Sequence, residues 1–325
     1  MRRSWQIEPV PARRLLRAAT FMVAGADRST GARLRAEGLC RRARARRPYP
    51  PWAWWARRGR RLGAAAMVLP GAGRVGMVFS SPADAGGVDA EALAAVLSRV
   101  AAAAVEGGMT FAQALSPPEA SGDITALERG GFERLGELLY LVRDAVGVPV
   151  AAPRAELTWR TYEAFDEAEL SDVIRQTYTG SLDCPRLSGL RSMTDVLAGH
   201  KAGGTFRPDL WLLACCGGRP AGVVLANEAE PGRAEIVYMG VVPGFRGRRI
   251  GAALVGQAAH RARASGLSRV ALAVDADNAP ARAVYEPMGF ELERRRVVHI
   301  RRSAGRETVA GNTLSPGSAA DVNGL

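Results

Sequence analysis

"VVPGFRGRRIGAAL" (residues 241–254) decides how this chain is read. It joins an apolar, β-branched run, IVYMGVV (236–242), to a second apolar run that starts at Ile250. The junction holds Gly247, Gly251, Arg246, Arg248 and Arg249. A helix start presents backbone N–H groups without intrahelical partners at the positive end of the helix dipole, so anions bind there. Glycines let the preceding turn bring those groups close to a ligand, and arginines add charge-assisted contacts. A strand leads in, and Ile250, Leu254 and Ala258 share one face of the helix that leads out. In that setting the loop reads as a phosphate cradle rather than a solvated turn.

A second glycine pattern, GAGRVG (71–76), matches G-x-G-x-x-G. The dinucleotide fingerprint needs a helix after it. Here MVFSS follows, which reads as a strand, so these glycines are expected to make a hairpin.

The 325 residues suffice for two domains, and 47% apolar with 23% charged content fits a globular protein. No window holds a membrane-spanning apolar run. The arginine-rich N-terminus lacks a sustained apolar core, so it is not read as a signal peptide, and the expected location is the cytoplasm of a bacterium. The four cysteines show no C-x-x-C spacing and there are three histidines, so no metal or disulfide is expected. The net charge of +12 is concentrated: residues 1–61 carry 17 arginines against Glu8, Asp27 and Glu37. The stretch 41–61, RRARARRPYPPWAWWARRGRR, interleaves arginine with aromatics. That suits phosphate contacts with base stacking, although arginine is also this chain's general basic residue, Lys201 being its single lysine.

Strands alternate with helices in two rounds, which predicts an α/β fold with a mixed sheet. The first round has two strands around GAGRVG, a helix from Asp89 with Leu93, Val96, Leu97, Val100 and Ala104 on one face, a strand at 109–115, a short helix near 124–130 and a strand at 132–142. The second has a strand at 156–165, a helix at 166–180, a long connection, two strands, the cradle with its helix, a strand, a short helix and a last strand. At an offset of 158, GGFE (130–133) falls on MGFE (288–291), which points to an internal duplication. The expected division is 1–150, 151–302 and a disordered polar tail, 303–325.

With VVPGFRGRRIGAAL and, further on, VDADNAPARAVYEPMGFE (274–291), the second half resembles the GNAT acyltransferase superfamily over about 155–300. Arg246 and Gly251 match the ends of its pyrophosphate motif. Asn278, Tyr285, Gly289 and Phe290 match its second signature. Arg249 stands where the family usually has its middle glycine. The resemblance implies two tandem GNAT-like domains, each a mixed sheet flanked by helices, and acetyl-CoA as donor to an amine acceptor. It implies that pantetheine pairs along Met239, Val241 and Val242, and that the pyrophosphate lies on residues 246–252 (Arg246, Gly247, Arg248, Arg249, Ile250, Gly251, Ala252), with Asn278 nearby.

Acetyl transfer to an amine needs a neutral amine and a protonated leaving thiolate. Strand alternation would place Glu235, Val237, Met239 and Val241 on one face, and Glu235 is either the general base or a strand-edge charge paired with an arginine. Tyr285, by the resemblance, is the general acid; otherwise it is a packed aromatic. Asp183, Cys184 and His200, in the long connection, are candidates for the acceptor wall, while His260 reads as surface and His299 as core. At the 158 offset Tyr285 becomes Leu127, Glu235 becomes Met77 and Arg246 becomes Val88. The matching loop carries Asp84, Asp89 and Glu91, so the first half reads as degenerate. Two alternatives stay open: an acetyltransferase of ribosomal or nucleic-acid-bound protein recruited by 41–61, and a non-catalytic acyl-CoA sensor.

Overall fold

The computed structural model describes residues 4–27, 29–45, 52–149, 153, 156–187 and 189–302. Among them, one compact unit holds the residues up to Leu135 together with Arg296–Arg302, and the other holds Gly136–Arg295. The elements in chain order are β1 (Gln6–Pro9), α1 (Leu15–Ala24), α2 (Thr30–Arg44), β2 (Trp52–Arg58), β3 (Arg61–Pro70), β4 (Val75–Ser80), α3 (Ala90–Glu106), β5 (Phe111–Ser116), α4 (Ser121–Arg129) and β6 (Glu133–Asp144). They continue with β7 (Thr158–Thr161), α5 (Glu167–Tyr178), α6 (Met193–Lys201), β8 (Trp211–Cys216), β9 (Arg219–Glu230), β10 (Arg233–Val241), α7 (Ile250–Ala264), β11 (Arg269–Asp275), α8 (Ala279–Tyr285) and β12 (Glu291–Arg302).

In the first unit β1 to β4 pair antiparallel in succession, and β4 pairs parallel with β5. β3 is buried from Leu62 to Pro70 because helices cover both sides. Ala64, Ala66 and Val68 pack into the core under α3 and α4, while Ala65, Met67 and Leu69 pack into the core under α1 and α2. The predicted apolar face of α3 is buried as expected, and Asp89 caps the helix, its Oδ1 accepting from the Ala92 N–H at 3.0 Å. GAGRVG makes the hairpin between β3 and β4, with Gly73 at φ +70°.

The second unit repeats this plan. β7 to β10 pair antiparallel in succession, and β10 pairs parallel with β11. Its core lies between these strands and α7 with α8. The expected strand at 156–165 is shorter, Thr158–Thr161, and passes into a helical turn at Tyr162–Ala164.

The last strands depart from expectation. Residues 138–144 of β6 pair antiparallel with β11, inside the second unit. Residues 297–302 of β12 pair antiparallel with β5, inside the first. Each round therefore gives its final strand to the other unit, and the units do not divide at residue 150. The tail 303–325 lies outside the described residues.

The 41–61 stretch is not one surface feature. Arg41–Arg44 end α2, Trp52–Arg58 form β2, and residues 46–51 lie outside the described residues. Trp55 is buried, and its Nε1 donates to Glu8 Oε1 at 3.1 Å. Arg57 donates to the same carboxylate at 2.8 Å, and Arg58 stacks on Trp5 at 4.2 Å. These aromatics are taken up by packing, which weakens the stacking half of the nucleic-acid reading.

Candidate active site

The site is built where two parallel strands part. β10 and β11 stay in register only from Arg233 opposite Arg269 to Ile236 opposite Leu272. Beyond that pair β11 continues alongside β6, and β10 continues alongside β9. The departure coincides with a bulge, since Ile236 faces Ala226 and Tyr238 faces the very next residue, Leu225, leaving Val237 unpaired.

The bulge corrects the expected alternation. Ala234 and Ile236 face the core under α7. Glu235 lies opposite Asn227, whose Nδ2 donates to His200 O and Gly203 O at the end of α6, so Glu235 faces the α5–α6 side. The extra residue then flips the parity, and Met239 and Val241 pack against the α7 core. Glu235 and Met239 therefore lie on opposite faces. The gap between β10 and β11 lets both faces contribute to one cavity of about 830 Å³, lined among others by Glu235, Met239, Val241, Gly251, Asn278 and Tyr285.

At one end of the cavity stands the start of α7. The helices α2, α3, α5, α6 and α8 each begin on a side-chain cap, whereas α1, α4 and α7 have none, and of these three α7 is the one whose start lines this cavity. Its N-cap, Arg249, sits in the left-handed region at φ +61°, and Gly247 is at φ +77°. Gly247, Arg249, Ile250, Gly251 and Ala252 all line the cavity. A Cβ on Gly251 would meet Val284 Cγ2 at an ordinary 3.5 Å, so the fold itself does not demand glycine there.

Three of the expected ligand residues make other contacts in the fold. Val242 turns its N–H to Ala221 O at 3.0 Å and is absent from the cavity wall. Strand alternation then aims the Met239 and Val241 N–H groups away from β9, toward the parted strands. The Arg248 guanidinium lies over the Phe245 ring at 5.4 Å, outside the cavity lining. Arg246 lines the cavity, and its guanidinium donates to the carbonyls of Val241, Thr177, Thr179 and Gly180. Nothing in the local sequence signals this contact, because its partners lie more than 60 residues away, Val241 excepted.

Tyr285 ends α8, is buried, and packs edge-on to Phe290 at 5.9 Å. Burial, reinforced by the Asp183 carboxylate, pushes its hydroxyl well above the ordinary tyrosine range, so it holds its proton at neutral pH. Asn278 caps α8 through Oδ1 to the Ala281 N–H at 3.3 Å. Asp183 lines the cavity, whereas Cys184 does not. The Cys184 thiol sits 3.3 Å from Asp275 Oδ2 and is pushed up by burial, a structural setting. His200 is fully buried against Tyr238 at 5.3 Å between centroids, and burial with nearby Arg191 lowers it to about 3. His260 is exposed and His299 is buried in the first unit. No metal-binding cluster occurs, and no helix is long and apolar enough to cross a membrane, among the described residues.

In the first unit the matching helix start is occupied by its own Asp89 carboxylate, and the cavity beside it measures about 270 Å³.

The family model described as Acetyltransferase (GNAT) family matches residues 176–290. A mycothiol acetyltransferase of a Nocardioides species is 28% identical over 176 residues, 49% of this chain and 59% of that protein. The chain spans about three fifths or less of the length of the curated relatives it matches. A GCN5-related N-acetyltransferase from Sphaerobacter thermophilus superposes with a TM-score of 0.60 at 19% identity, over 97% of this chain and 98% of that one. A tandem GNAT protein from the clavulanic acid biosynthesis pathway superposes with a TM-score of 0.52 at 16% identity, over 94% and 100%. Parted strands, an uncapped helix start and the family match meet in the same stretch: residues 176–290 match the acetyltransferase (GNAT) family, in a chain with a tandem GNAT fold.

Proposed function

We propose that the second unit is an N-acetyltransferase that moves the acetyl group of acetyl-CoA to a primary amine of a small molecule. The observation that carries it is the single cavity running through the gap between β10 and β11, with an uncapped helix start at one end and Glu235 and Tyr285 in its walls. Acetyl-CoA, when bound, supplies the activated thioester. Its size suits a cavity of this volume, and its anionic portion suits the first-turn N–H groups of α7.

The residues then divide the chemistry. N–H groups at Met239 and Val241 are available to hold an amide-bearing arm along β10. Glu235, on the opposite face, accepts the proton that the amine must lose. Tyr285, kept protonated, donates to the departing sulfur. The name carried by the relatives supports a small-molecule acceptor over a protein, and the packing of Trp55 and Arg57 weakens the argument for recruitment by nucleic acid.

Calorimetric titration with acetyl-CoA, followed by a thiol-release assay over primary amines, tests the proposal. Tyr285→Phe is expected to leave acetyl-CoA affinity unchanged and to lower kcat by roughly 10²–10⁴-fold. Glu235→Gln should lower kcat while leaving acetyl-CoA affinity unchanged. Binding without turnover on any amine, or a Tyr285→Phe rate equal to the parent's, would point instead to an acyl-CoA sensor.

A further inference from the structure

We propose that Arg246 is a positioning residue that ties the cradle loop to the cavity wall at 180–183, and that its guanidinium is not a phosphate ligand. The proposal rests on the acetyl-CoA reading only for its effect on binding; the contacts stand without it.

A guanidinium has five N–H donors in a planar fork. Arg246 Nη2 gives to Thr177 O at 2.9 Å and to Thr179 O at 2.8 Å, Nη1 gives to Gly180 O at 3.3 Å, and Nε gives to Val241 O at 3.2 Å. One N–H of five is left over. Its backbone N–H donates to Pro243 O at 3.2 Å and is also engaged. Three of the four carbonyls belong to the end of α5 and the turn after it, where helix carbonyls lack partners and the dipole is negative. Arg246 is thus the cap of α5, supplied from the far side of the unit's sequence.

The capped turn runs on into Ser181, Leu182 and Asp183, which line the cavity, and the Asp183 charge acts on Tyr285. α5 is further keyed to β10 by Thr177 Oγ1, 2.5 Å from the Tyr238 hydroxyl. On the other side Arg246 is bonded to Gly247, where the ligand-facing part of the cradle begins. One side chain therefore links the loop that would seat the donor to the wall that would face the acceptor. Seating the donor should steady that wall.

The test is hydrogen exchange of the full chain with and without coenzyme A, alongside calorimetry with the same probe. In the unsubstituted protein coenzyme A should slow exchange in both 247–252 and 179–184. In Arg246→Gln the affinity should stay within about threefold and keep its salt dependence, with protection at 247–252 retained and at 179–184 lost. Arg246→Lys, which keeps the charge without the planar fork, should behave like the glutamine variant. A loss of about tenfold or more in Arg246→Gln with a shallower salt dependence, restored by lysine, would make Arg246 a phosphate ligand and overturn the proposal. If the unsubstituted protein does not bind coenzyme A, the donor reading falls. Exchange at 179–184 in the free protein then decides the clamp: faster in both variants supports it, unchanged overturns it.

Discussion

Arg249 shows how much a single residue can say about a loop. Only glycine occupies the left-handed region without cost, yet this chain places an arginine there at φ +61°. Arg249→Gly should therefore be more stable than Arg249→Ala by about 1 kcal/mol in denaturant unfolding, the reverse of the order inside a helix. His200 gives a second residue-scale prediction. Its ring nitrogens have no hydrogen-bond partner among the described residues, and the folded ring stays neutral down to about pH 3. The unfolded chain takes up that proton near pH 6.5, so between the two values the unfolded state binds more protons and stability falls as pH drops. His200→Phe loses no hydrogen bond, should be neutral or stabilising at pH 7, and should flatten the fall in stability below pH 6.5 measured by urea unfolding.

Among the elements, α3 starts on a side-chain cap and α7 does not, a contrast that under the proposed function separates a structural helix start from a binding one. Asp89→Ala should cost about 1 kcal/mol of stability, as loss of a cap does. It should not create affinity for coenzyme A, because the small cavity beside that helix remains. Calorimetry and thermal unfolding of the variant check both statements. Most elements were legible beforehand: the apolar faces of α3 and α7, the hairpin at GAGRVG, and Tyr285 within reach of the cradle all followed from periodicity, turn chemistry or family resemblance. Two features were not. The bulge at Val237 leaves no glycine or proline to mark it, yet it flips the face of every later β10 residue and separates Glu235 from Met239. The Arg246 clamp depends on carbonyls brought close only by tertiary folding. The motif therefore led to the cavity, while the contacts of one of its side chains came only with the tertiary fold.

For the whole molecule, the duplication is real in strand order but not separable in sequence. β6 and β12 each look like the natural last strand of their own half, and nothing in their composition distinguishes a partner in β5 from one in β11. That choice is made by the path of the chain. Cutting at residue 150 should consequently leave neither 1–150 nor 151–302 able to unfold cooperatively alone, while the two fragments expressed together should regain a cooperative transition by circular dichroism. A stable, well-dispersed spectrum from 1–150 by itself would contradict the exchanged pairing.

The same exchange sets a timetable for synthesis. The ribosome makes the first unit's core early, but the strand that covers the free side of β5 emerges with residues 297–302, after the strands and helices of the second unit. Through most of translation the nascent chain carries an open strand edge, a template for pairing with other chains. Slow elongation over the second half would lengthen that exposure, and a chaperone that shields edges would matter most for this protein before β12 leaves the exit tunnel.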